Sequence, residues 1–101
     1  MSVGGCIVGC NTSGVLTANS IVSTSRSTLV SVHATAVGNA LFTFKVWDSG
    51  NTTVSGKKEM LRMNLKGDAV NAENDMHRAI AAEGLYFQIT AGAGFVTINF
   101  A

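Results

Sequence analysis

The chain contains no proline in 101 residues. Proline is one of the usual blockers of exposed strand edges, so a β protein without it must protect its edges some other way, and capping by a neighbouring copy is one such way. Charge is equally scarce. Lys, Arg, Asp and Glu make up 13% of the residues, about half the usual share, which implies that few faces meet water or that exposed faces await a partner. Seven basic and six acidic residues give a net charge of +1. They are mostly scattered singly and offer no electrostatic footprint for a polyanion, so nucleic acid is not an expected partner. No apolar run approaches the roughly 20 residues of a membrane span, and the N-terminus lacks the basic flank and apolar run of a signal peptide. The expectation is a soluble protein made in a cytoplasm, with no membrane partner. Cysteine is limited to Cys6 and Cys10, without the second pair that a tetrahedral zinc site requires. Two free thiols are the first reading, ahead of a disulfide or a metal.

What is present is apolar and patterned. Hydrophobic residues reach 47%, and the length suits a single module with one core. Residues 1–27 stand apart as an arm: thirteen of them are Gly, Ser or Thr and only Arg26 is charged. Val3, Ile7, Val8, Val15, Leu16, Ile21 and Val22 form short apolar clusters there, which gives the arm strand potential and no helical period. Too few for a core of their own, they are expected to order against a partner chain.

From Thr28 every-second-residue alternation sets in. Val30, Val32, Ala34 and Ala36 alternate with Leu29, Ser31, His33 and Thr35; Phe42, Phe44 and Val46 alternate with Leu41, Thr43, Lys45 and Trp47. The short connection between the two runs predicts a hairpin. After an exposed loop, Leu61, Met63 and Leu65 face inward on a further strand, with Met60, Arg62 and Asn64 outward. Residues 69–83 are Ala-rich and hold a turn of helix by propensity, but a strand from Asp75 to Ile80 with Met76, Arg78 and Ile80 on one face is favoured. Leu85, Phe87 and Ile89, then Val96, Ile98 and Phe100, alternate with polar or aromatic neighbours around Gly92 and Gly94, which reads as a terminal hairpin. The fold class that follows is all-β: a small antiparallel β-sandwich, Greek-key or jelly-roll-like, over residues 28–101, with an extended N-terminal arm over residues 1–27.

No catalytic constellation finds its second and third member. His33 lies mid-strand beside Ser31 and Thr35 and reads as a surface histidine. Asp75 and His77 have the spacing of an oriented imidazole, yet no nucleophile motif accompanies them. Gly92 and Gly94 precede a strand, whereas phosphate-cradling glycines precede a helix. No alternating acidic run supplies the oxygens calcium needs. Trp47, the lone tryptophan, lies on the outward face of its strand with Lys45 and suits either packing or a recognition platform. No enzyme activity and no cofactor are expected.

The ordered series Gly14-Val-Leu-Thr-Ala, Thr28-Leu-Val-Ser-Val-His, Phe42-Thr-Phe-Lys-Val-Trp-Asp, Ser55-Gly-Lys, Asp75-Met-His and Glu83-Gly-Leu-Tyr-Phe-Gln-Ile resembles the small β-sandwich virion proteins of tailed bacteriophages, among them head-decorating and cement proteins. The resemblance covers most of the chain from Gly14 onward. It implies a non-enzymatic structural protein of the virion, assembled in the host cytoplasm, that binds the major capsid protein or other virion proteins, stabilises capsomer junctions and forms a homodimer or homotrimer. Val3, Ile7, Val8, Leu16, Ile21 and Trp47 are the candidate partner-binding residues. The alternative is a tail- or fibre-associated module that contacts host carbohydrate.

Overall fold

A computed structural model of the chain describes residues 11–66 and 71–101, and for residues 71–75, 77 and 78 it describes the backbone alone. Eight strands follow one another: β1 (Asn11–Leu16), β2 (Ser20–Ser23), β3 (Ser27–Val37), β4 (Phe42–Asp48), β5 (Lys58–Leu65), β6 (Asn71–Ala81), β7 (Leu85–Ala91) and β8 (Ala93–Phe100). There is no helix among the described residues. One sheet has the order β1-β8-β3-β6 and the other β2-β7-β4-β5, with every pairing antiparallel.

The pairs are nested: β4 with β5, β3 with β6, β2 with β7, β1 with β8. The chain thus folds back once, between β4 and β5, and the resulting ribbon is wound so that successive pairs fall in opposite sheets. That is the eight-stranded double-sheet jelly roll. The smallest extent of the backbone is 18 Å, as expected for two sheets packed face to face about 10 Å apart with the twist of each added.

Winding corrects two sequence expectations. β3 and β4 do not form a hairpin, and neither do β7 and β8, because each pair divides between the two sheets. Alternation specifies which face of a strand is buried and leaves its neighbour open. The glycines after β7 therefore make a corner between layers. Gly92 has φ 74°, and a Cβ there would run into the carbonyl oxygen of Leu41 and the Cα of Phe42. Replacing Gly92 with alanine should cost about 1–3 kcal/mol for the left-handed backbone alone, read as a fall in the urea midpoint with an unchanged slope. An unchanged midpoint would mean that the corner is not built this way.

The core lies between the sheets. Phe42, Phe44 and Val46 of β4, Leu85 and Phe87 of β7, and Val96 and Ile98 of β8 are essentially inaccessible, joined by Leu29, Val32, Ala34 and Ala36 of β3 and Leu61 and Leu65 of β5. Val32, Phe44, Leu61, Leu65, Phe87 and Ile98, which alternation places inside, belong to this cluster, while Met63, placed inside with them, is half-buried against it. Leu29 is a correction: alternation set it outward, yet it is fully buried. A bulge between Leu29 and Ser31 shifts the register against both neighbouring strands, so Leu29 and Val32 share the inner face although three residues apart. The same irregularity corrects Ile80, which is 56% exposed while Met76 packs on the core. No helical turn forms over 71–81, where β6 runs.

Of the arm at 1–27, residues 1–10, with Cys6 and Cys10, lie outside the described residues. Residues 11–23 contribute β1 and β2, the outermost strand at one side of each sheet. Opposite Ile98 in β8, β1 bulges at Ser13 and Gly14, and the Ile98 amide donates to Ser13 Oγ at 2.9 Å. Asn19, between the two strands, accepts from the Ile89 amide through Oδ1 at 2.7 Å. This stretch of the arm is held within its own chain.

Candidate functional site

The partner-binding residues expected from sequence separate. Val3, Ile7 and Val8 lie outside the described residues. Leu16 packs against the core from β1. Ile21 and Trp47, 26 positions apart in sequence, come together on the outer face of the sheet β2-β7-β4-β5. Tyr86 is the register partner of both, opposite Ile21 on one side and opposite Trp47 on the other. The row Ile21–Tyr86–Trp47 thus crosses three strands, with Tyr86 only 5% exposed between its neighbours and Ile21 at 45%.

Polar groups hold the tryptophan. Its Nε1 donates to Gln88 Oε1 at 3.0 Å, and Lys45 Nζ sits 5.4 Å from the ring centroid, within cation–π range. Glu59, opposite Trp47 on β5, accepts from Arg62 Nε and Nη2, both at 3.1 Å, and lies 3.5 Å from Lys45. The hydrogen bonds from Arg62 come first among the causes that hold the Glu59 carboxyl below the usual carboxylate range, and Glu59 in turn raises Arg62. Glu59 is therefore a fixed anion, the opposite of the raised carboxyl that general acid catalysis wants. The arrangement can present an aromatic and hydrogen-bonding surface.

The remaining sequence candidates are dispersed. His33 is exposed on the outer face of the other sheet, opposite Thr97. Asp75 and His77 lie on β6, and their side chains fall outside the described part. Ser49 is fully buried, with Oγ donating to the Asn51 carbonyl at 2.9 Å, which is turn chemistry. Among the described residues there is no concave pocket and no group of three or more His, Cys, Asp or Glu side chains placed to hold a metal ion.

A second surface was not read from the sequence, which named only its Val15, as part of the arm. On the outer face of β1-β8-β3, Val15 is 67% exposed, Phe95 49% and Val37 44%. Register makes them one diagonal: Val15 opposes Thr97 and Phe95 opposes Thr35, each two residues from the next member. Phe95 alternates outward in its run, Val15 reads only as part of the arm and Val37 as part of the connection after β3, and none of the three reveals from sequence that β8 lies between β1 and β3. No protein family, no curated protein and no solved structure matches this chain.

Proposed function

We propose that this chain is a non-enzymatic structural protein of a tailed-phage virion, a decoration or cement protein that binds the head surface through its broad sheet faces. The observation that carries the reading is the nested eight-strand topology, an architecture that recurs in viral capsid domains. It joins the resemblance of the ordered segments from Gly14 onward. Because one fold hosts many functions, the surfaces matter more than the topology, and they favour adhesion. Apolar side chains stand exposed on the outer faces of both sheets, and broad exposed apolar surface marks binding. In this reading the partners are the major capsid protein, other virion proteins or further copies of the chain, and no cofactor takes part.

Gradient purification of the particles made alongside this chain provides the test. The chain should band with the particles in many copies and leave them only on denaturation. Recovery solely in the soluble fraction would end the reading.

The row of Ile21, Tyr86 and Trp47 favours a second reading, recognition of host carbohydrate at a tail or fibre, since ring faces beside amide and charged groups suit sugars. A sugar stacking on Trp47 would have to displace Lys45 from over the ring. Specific glycan-array binding that disappears in Trp47→Ala would move the assignment to this alternative.

A further inference from the structure

The two outer faces differ in charge. β1, β3 and β8 together contain no Lys, Arg, Asp or Glu. Across the sandwich, β2 and β7 are likewise without them, but β4 and β5 carry Lys45, Asp48, Lys58, Glu59 and Arg62, and Lys45, Glu59 and Arg62 form one ion-pair network. In the first sheet only the outermost strand, β6, includes Glu73, Asp75 and Arg78. The outer face of β1-β8-β3 is thus a field of Thr, Ser, Asn and His33 without Lys, Arg, Asp or Glu, bordered by the Glu73 position of β6 opposite His33 and crossed by the exposed diagonal Val15–Phe95–Val37.

We propose that this face is a self-docking surface and that a second copy of the chain, packed sheet on sheet about a two-fold axis, covers it. Charge matching selects the occupant. Depletion of charge is what distinguishes the core of an interface from the rest of a surface. A face without Lys, Arg, Asp or Glu is best covered by another such face, and the face itself has that composition. The opposite face does not, since docking there would desolvate Lys45, Glu59 and Arg62. A two-fold contact is isologous, so one patch serves both partners.

The placement of the aromatic agrees. Phe95 belongs to β8, an interior strand of its sheet, so its ring stands near the middle of the patch with Val15 and Val37 on either side. Binding energy concentrates at such central aromatic anchors. About a dozen outward side chains give roughly 500 Å² per copy, close to the ~1,000 Å² total at which specific interfaces begin. A reversible dimer is therefore expected, not an obligate one. The inference rests on the assembly reading for its biological setting, whereas its test needs the chain alone.

Sedimentation velocity of the full-length protein, over roughly 5–500 μM to bracket a micromolar affinity, should show a monomer–dimer equilibrium. Phe95→Glu puts a carboxylate on both sides of the contact and should weaken dimerisation at least about 100-fold, with an unchanged far-ultraviolet β spectrum. Val15→Lys, on the outermost strand and 67% exposed, should act in the same direction and serves if Phe95→Glu fails to fold. Ile21→Glu on the opposite face should leave the dimer intact. A wild-type monomer throughout, or a dimer lost with Ile21→Glu and kept with Phe95→Glu and Val15→Lys, overturns the inference. A monomer that still bands with particles would overturn this inference alone; a dimer that bands with none would overturn the virion reading alone.

Discussion

Truncating Phe44 to alanine should destabilise the protein by about 3–5 kcal/mol, the range for removing a buried ring from a core that cannot close over the gap. Phe44 is fully buried at the centre of β4 and lies between two other rings, with centroids 5.3 Å from Phe42 and 5.4 Å from Phe87. Those tilted contacts add to the transfer term. Phe42 and Phe44 both sit on β4 while Phe87 comes from β7, so the cavity would open along the seam of two paired strands. For a domain of this size the loss is comparable to much of its total stability, and chemical denaturation should show either a collapse of the midpoint or no cooperative transition. A midpoint unchanged within error would mean that Phe44 does not face the core.

Asp48 is expected to produce the second large effect. The end of β4 reaches the turn before β7, where Asp48 Oδ2 accepts from the Ala82 amide at 2.9 Å and Oδ1 from the Glu83 amide at 2.8 Å. Burial pushes this carboxyl up. The backbone amides of Glu83, Ala82 and Gly84 and the charge of Lys58 outweigh that, and it titrates below the ordinary value of 3.8. Lys57 pairs with Glu83 at 2.5 Å beside it. The turn leaves no room for substitution: Gly84 has φ 152°, and a Cβ there would press on the Ser23 carbonyl oxygen and come within 2.8 Å of the Gly50 Cα.

Asp48→Asn presents an amide nitrogen to one of two backbone donors, and the loss of a charged, nearly buried acceptor should cost about 2–4 kcal/mol at neutral pH. The pH dependence has a definite sign. A carboxyl whose folded pKa lies below its unfolded pKa contributes stability that is complete above the unfolded value. That contribution disappears as pH falls through the folded value. The wild type should therefore lose stability below about pH 4 more steeply than Asp48→Asn, and the two curves should converge. Parallel curves down to pH 2 would show that the carboxylate is not the clamp.

The sequence made the class of fold legible because alternation over Phe42–Asp48, Leu85–Ile89 and Val96–Phe100 names the buried face directly. It did not reveal the wrapping. Short connections such as Val37–Leu41 and Gly92 look like hairpin turns, yet here they cross between layers, and a two-residue period contains no term for the partner strand. Leu29 and Ile80 were misassigned for a local reason, the bulge where β3 and β6 slip register, which breaks the period without a glycine to announce it. The candidate surface was legible in half. Trp47 and Ile21 each carried a signal, but their meeting depends on Tyr86 lying between them, and Val15, Phe95 and Val37 form a patch only after β8 is inserted between β1 and β3. Composition had pointed toward such surfaces, since 13% charged residues imply that few faces meet water or that exposed faces await a partner.

The central claim, a structural virion protein that works by covering and joining surfaces, is most directly tested by cryo-electron microscopy of the particle that carries this chain. The account predicts many symmetry-related copies on the head lattice, each an eight-stranded jelly roll seated by a sheet face. A particle on which the chain occupies no site, or only a few copies at a fibre tip, would contradict it.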